Sequence, residues 1–340
     1  MKKFMTTALA IMAALSLAAC SSQAAEQSTQ GNPSSAEDSS GETSTESSQT
    51  ERPESVTITA YNGDKELTEL TVPYDPQRIA ILDMAVLDML DNWGLGDRVV
   101  GMPKSSQIDY LMDYNRSEDI VNLGTLKEVD MEKLMSSEPD LIFIGGRLAS
   151  QYDALSEIAP VVYTAVDYEI GLMESVKRNA SMIASIFGKE QEAQEALAGF
   201  DARLEALAQA AEGKTAVIGM VTSSNFNTLG DGSRCSLIGG EVGFENLAND
   251  VDSTHGNESS FELLVSLDPD YIFVLDRDSA INTEGAKLAQ EIMENELVQK
   301  TRAYQDGKVV YLTPTVWYLA EGGITATDVM LTDLEKSILK

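Results

Sequence analysis

Two arginines occupy the same place in two matching stretches of this sequence. Val129 to Arg147 aligns without a gap to Ser259 to Arg277 at a constant offset of 130, and Glu132/Glu262, Leu134/Leu264, Pro139/Pro269, Asp140/Asp270, Phe143/Phe273 and Arg147/Arg277 are identical pairs. Each unit reads as a helix opened by a capping Asp or Ser, a Pro-Asp turn and a buried strand that ends at the arginine. Open α/β sheets bind ligands beyond the carboxyl ends of their strands. If the two units face each other across a pseudo-twofold axis, Arg147 and Arg277 project into one cleft from opposite sides. A guanidinium is permanently charged and weakly hydrated, so such a pair suits an anion. Glu132 and Glu262 fall in the first turns of the matched helices. The helix dipole alone accounts for a carboxylate there, at ~0.3–1 kcal/mol; a pair of carboxylates docking onto a two-fold partner accounts for it equally.

The remaining reactive side chains exclude more than they establish. His255 is the only histidine and Cys20 and Cys235 the only cysteines, which rules out a multi-histidine zinc site, a thiolate cluster and a disulfide framework. A formal net charge of −31 argues against nucleic acid, whose phosphates need a basic face. The chain holds no G-x-S-x-G elbow, no glycine-rich dinucleotide fingerprint after a strand and no H-E-x-x-H. A secreted α/β hydrolase is the remote alternative, and its triad would have to use His255.

The elements that must position these residues are legible from periodicity. Val56–Tyr74 reads as a hairpin turning at Asn62-Gly63. Short apolar runs follow at Ile79–Leu82, Val99–Met102, Leu141–Ile144 and Val161–Tyr163, then at Ala216–Val221, Tyr271–Leu275 and Val309–Leu312. Continuous apolar runs separated by helical stretches indicate parallel strands buried on both faces. The expected fold is α/β, with two Rossmann-like lobes of mainly parallel sheet and a cleft between them. Between the lobes, Ala193, Leu197, Phe200, Leu204, Leu207 and Ala211 step by threes and fours, and Gly213 follows as a stop. This spacing predicts one long joining helix of ~23 residues, ~35 Å in length, and a receptor that closes little on its ligand.

The N-terminus reads as a leader. Lys2 and Lys3 precede an apolar run that ends in Leu17-Ala-Ala-Cys20, the form of a secretory signal and shorter than a spanning helix. The ending resembles a bacterial lipobox, which makes Cys20 the expected lipid anchor. From Ser21 to about Ser55 the chain is Ser, Thr, Glu, Gln and Gly with almost no large apolar side chain, a tether that cannot offset its own ordering entropy. The expected organisation is thus a signal peptide over 1–20, a tether over 21–55, an N-terminal lobe over 56–188, a helix over 189–212 and a C-terminal lobe over 213–340.

Taken together, lipobox, acidic tether, two lobes and joining helix resemble the iron-siderophore receptors of ABC importers, the helical-backbone class of substrate-binding proteins. Within that class the chain is similar to the catecholate branch, related to receptors for petrobactin and for enterobactin breakdown products. The likeness runs from about Val56 to the end. It is carried by Tyr74-Asp-Pro-Gln-Arg-Ile-Ala-Ile-Leu-Asp83 with Leu87-Asp-Met-Leu90, and by Gly145-Gly-Arg147 and Gly232-Ser-Arg234. Ser253-Thr-His-Gly256 with Ser260-Phe-Glu262, and Trp317-Tyr-Leu-Ala320, complete it. The resemblance implies that Arg147, Arg234 and Arg277 hold negatively charged catecholates and that His255 and Tyr318 complete the coordination of the siderophore's iron. It implies too that Glu132 and Glu262 dock onto the permease dimer. The chain would then be a monomeric, lipid-anchored receptor on the extracytoplasmic face of the membrane, with no intrinsic cofactor and an Fe(III)-siderophore as ligand. Haem, a hydroxamate siderophore or a corrinoid on the same scaffold is the runner-up. Two residues depart from the branch's pattern: Glu321 puts a carboxylate where many relatives are neutral, and Cys235 adjoins Arg234.

Overall fold

A computed structural model describes residues 52–249, 255–258 and 260–339. The leader, Cys20 and most of the expected tether lie outside the described residues, as does Ser253-Thr254 of the histidine motif.

The predicted hairpin forms as β1 (Ser55–Tyr61) and β2 (Leu67–Pro73), antiparallel from Ser55/Pro73 to Tyr61/Leu67. Its turn is held by Asn62, whose side-chain oxygen accepts the N–H groups of Asp64 and Glu66. The apolar runs of the N-terminal lobe become β3 (Ile79–Leu82), β4 (Val99–Met102), β6 (Leu141–Ile144) and β7 (Val161–Tyr163), with a short β5 (Val121–Asn122) at the edge. Their order is β2-β1-β7-β6-β3-β4-β5, parallel from β7 to β5.

In the C-terminal lobe β8 (Thr215–Thr222), β9 (Asn225–Thr228), β10 (Glu245–Asn246), β11 (Asn257–Glu258), β12 (Tyr271–Asp276) and β13 (Val309–Tyr311) form the second sheet. Its order is β11-β9-β8-β12-β13, with β10 beside β8. β8, β12 and β13 are parallel, while β9 turns back antiparallel on β8. Both sheets lie within one compact unit.

The 130-residue register is a structural repeat. Phe143 and Phe273, in β6 and β12, are fully buried. The Asp140 carboxylate accepts the N–H groups of Gln77 and Arg78 at the entrance to β3. Asp270 accepts the N–H and hydroxyl of Thr215 where β8 begins. The turn carboxylate thus ties each strand to its neighbour in both lobes. One detail of the match fails: Asp130 caps the helix Met131–Ser136 through its side chain, but Ser260 makes no such bond to Phe261–Leu267.

The single long joining helix is corrected. The lobes are joined by three helices in series, Leu172–Phe187, Glu190–Leu197 and Phe200–Ala211. The break within 189–212 falls at Ala198-Gly199, where Gly199 adopts φ +94, a conformation that ends a right-handed helix. Apolar spacing continues through the break because both segments pack on the same side, so periodicity alone cannot reveal it. Phe200–Ala211 is held to the C-terminal helix Ile324–Ile338 by Arg203, paired with Asp328 and Glu335 at 2.6 Å each. That helix is in turn capped from the N-terminal lobe: buried Asp88, on Met84–Asn92, accepts the N–H groups of Thr325 and Ala326 at 2.8 Å.

Candidate ligand-binding cleft

Each predicted side chain owes its place to a local device. β6 runs out into Gly145-Gly146, and Arg147 follows in a 3-10 turn anchored by buried Leu148. A Cβ on Gly145 would lie 3.0 Å from an Asp83 carboxylate oxygen, so glycine lets Asp83 approach. β12 ends at Asp276, which accepts the N–H groups of Ser279 and Ala289 and so orients the short helix that Arg277 opens. Arg234 precedes a π-turn and is followed by Cys235 at φ +64, buried and left-handed. Gly256, at φ +74, brings the His255 loop so close to β9 that a Cβ would lie 2.5 Å from the Thr228 carbonyl. Tyr318 lies on the helix Pro314–Leu319, fixed where Asp333 accepts hydrogen bonds from the Trp317 indole and the Thr313 N–H, both at 2.9 Å.

These devices bring the three arginines together around Tyr318. Their guanidinium carbons lie 5.6 Å (Arg147), 4.4 Å (Arg234) and 5.7 Å (Arg277) from its ring centre. Arg277 Nε donates to the phenol oxygen at 3.1 Å. Arg147 donates to the Tyr318 carbonyl, and Arg234 to the carbonyls of Trp317 and Tyr318, all at 3.1 Å. A cavity of about 440 Å³ is lined by Arg147, Arg234, His255, Tyr318 and Glu321. A second, of about 280 Å³, is lined by Arg277 and shares Lys127, Arg147, Tyr318 and Leu319 with the first. They are two ends of one cleft.

The electrostatics follow from this crowding. Burial pushes the Tyr318 phenol up, but the Arg277 hydrogen bond and the charges of Arg277, Arg234 and Arg147 outweigh it, leaving the phenol below its ordinary range. His255 is held below the usual imidazole value by partial burial and by the charges of Arg277, Arg234, Lys127 and Arg147. Phenolate and neutral imidazole are the forms that donate to a metal. Among the described residues no group of three or more His, Cys, Asp or Glu is arranged to hold a metal ion.

Four further residues belong to the cleft. Lys127 and Lys65 add cations to its wall. The offset of 130 sets Lys127 opposite Asn257, so the repeat carries no signal for it. Asp83 accepts the Thr164 hydroxyl at 2.9 Å, and burial raises its carboxyl despite that bond and the Arg147 charge. Tyr168 donates to Glu321 at 2.7 Å. Nothing in local sequence marks Lys65, Asp83 or Tyr168 as neighbours. Glu132 and Glu262 do not enter the cleft; both are exposed, in the first turns of their helices.

Comparison with known proteins agrees with this architecture. Over its full length the chain is 32% identical to the petrobactin-binding protein YclQ of Bacillus subtilis, also covered in full. The crystal structure of YclQ matches with a TM-score of 0.78, over 85% of this chain and 100% of that one. The periplasmic catecholate-siderophore binding protein VctP of Vibrio cholerae matches with a TM-score of 0.77 at 30% identity, over 83% of this chain and 100% of VctP. The ferric-anguibactin-binding protein FatB of Vibrio anguillarum is 29% identical, over 79% of this chain and 85% of FatB. Residues 79–316 match the family described as periplasmic binding protein, and the chain belongs to that family.

Proposed function

We propose that this protein captures a ferric catecholate siderophore outside the cytoplasm and delivers it to an ABC importer, acting as a binding protein and not an enzyme. The observation that carries the reading is the convergence of Arg147, Arg234 and Arg277 on one phenol held below its ordinary pKa range. Catecholates attached to iron are anionic and planar, and guanidinium forks suit their oxygens. Ferric ion is hard and prefers six donors. A tetradentate bis-catecholate leaves two places, which Tyr318 oxygen and His255 nitrogen would fill. The relatives support the ligand class, since VctP is described as binding a catecholate siderophore, YclQ petrobactin and FatB ferric anguibactin.

The rest of the reading concerns delivery. Glu132 and Glu262 would meet basic residues on a permease dimer, one per lobe. Cys20 would carry the lipid that holds a monomeric receptor at the extracytoplasmic face. The test is fluorescence quenching of the mature chain with ferric bis-catecholate, ferric tris-catecholate, ferric hydroxamate and haem. Tight binding of the bis-catecholate is the expected result. Binding of haem or hydroxamate alone would keep the receptor and overturn its site chemistry.

A further inference from the structure

The three arginines of the cleft do not face it with bare charge. Against Arg277 lies Asp278, 3% exposed and 3.3 Å from its Nη1, fixed where its other oxygen accepts the Ser223 N–H at 2.6 Å. Against Arg234 lies Glu321, 6% exposed, with Oε2 3.7 Å from Nη1, a distance of charge attraction and not of hydrogen bonding. The Tyr168 hydroxyl donates to the same oxygen at 2.7 Å and holds it there. For Arg147 the carboxylate is Asp83: burial raises it, and hydrogen bonds from Thr164 and Ala85 and the Arg147 charge act against that rise. A buried carboxylate thus accompanies each arginine. Asp278 and Glu321 lie too deep to hold a ligand by contact, but charge acts beyond contact in an interior that is poorly screened. The positive charge that remains comes mainly from Lys127 and Lys65 on the cleft wall.

We infer that these carboxylates set the charge of the chelate the cleft accepts, so that it selects a monoanionic ferric bis-catecholate over more highly charged chelates. This rests on the reading of the cleft as a ferric catecholate site with Tyr318 on the iron. Ferric ion with two fully deprotonated catechols carries one negative charge, and a Tyr318 phenolate on the iron adds a second. With the arginines offset, Lys127 and Lys65 balance that assembly. A chelate with two further anionic groups leaves the excess uncompensated in a cleft of low dielectric. The arginine forks still direct N–H donors at the catecholate oxygens, because a guanidinium keeps its hydrogen bonds when its charge is offset. Specificity then comes from withholding charge from the wrong ligand and not from an added contact.

The test is calorimetric titration of the protein with two ferric bis-catecholates that share one linker and one denticity. In one, each catechol ring carries a neutral sulfonamide; in the other, a sulfonate of nearly the same size, which makes the chelate a trianion. The monoanion is expected to bind at least about tenfold tighter. Glu321→Gln and Asp278→Asn, which keep the shape of the side chain, are each expected to reduce that ratio by about threefold or more through tighter binding of the trianion. Tighter binding is not what a damaged cleft would give, and binding of the monoanion shows either variant to be folded. Equal affinity of the unmodified protein for the two chelates, or tighter binding of the trianion, overturns the inference, as does a ratio that neither substitution reduces. If neither chelate binds, the catecholate reading itself fails and takes this inference with it.

Discussion

At the scale of single residues, the cleft depends on charges that have been brought together and desolvated. Arg147→Ala, Arg234→Ala and Arg277→Ala are each expected to weaken ferric catecholate binding by ~1.5–3 kcal/mol, the range for a hydrogen bond to a charged group, as titration calorimetry would show. Unchanged affinity in all three would remove the anion-binding role. The arginines also have a spectroscopic signature. Ultraviolet titration should find the Tyr318 phenol below its ordinary range, and Arg277→Ala should raise it, because that arginine both bonds the oxygen and lies nearby. His255→Ala and Tyr318→Phe should weaken the bis-catecholate more than the tris-catecholate, since the latter already supplies six donors. As pH falls through the depressed His255 pKa the imidazole protonates and stops donating, so bis-catecholate affinity should fall in acid.

At the scale of elements, the joint between the lobes is made by helix ends. Asp88 reaches from the N-terminal lobe to cap Ile324–Ile338, and Tyr110 donates to the same carboxylate. Burial pushes the Asp88 carboxyl up to about 6 in spite of these hydrogen bonds. The native state therefore holds this proton more tightly than the unfolded chain does. Its contribution to stability is fully present at low pH and is lost as pH rises through about 6. Relative to Asp88→Asn, the protein should gain about 1–3 kcal/mol between neutrality and the unfolded carboxylate range, measured by denaturant unfolding at a series of pH values. A flat difference would show that Asp88 is ionised throughout. The break in the crossover makes a second, independent prediction. Gly199 has open space around the position of a Cβ, so Gly199→Ala tests backbone strain alone and should cost about 1 kcal/mol.

At the scale of the whole molecule, a jointed helical crossover and a capped C-terminal helix bind the lobes at more than one place. Such a frame should close little. The radius of gyration of the protein in solution scattering is expected to change by no more than about 1 Å when the ferric ligand is added. Glu132 and Glu262 lie outside the cleft, so function can be divided. Replacing both by alanine should leave siderophore affinity intact while reducing iron uptake by cells that carry the cognate importer. Loss of affinity in that double variant would reassign the pair to folding.

Much of this protein was determined by sequence alone, and for a local reason. Apolar runs three to six residues long are buried between helices on either face of a parallel sheet, so β3, β4, β6, β7, β8, β12 and β13 were legible to within a residue or two. The repeat was legible too, because its Pro-Asp turns and buried phenylalanines serve the same purpose in each lobe. Only the tertiary structure decided what converges. The guanidinium groups of Arg147, Arg234 and Arg277 meet at Tyr318 because two sheets, a short helix and the Asp333 bonds bring distant segments together, and no local pattern encodes that meeting. The break at Gly199 was likewise hidden, since a bend that keeps its apolar face inward leaves the periodicity intact. Glu321 was visible only as a charge out of place; the structure buries its side chain between Tyr168 and Arg234.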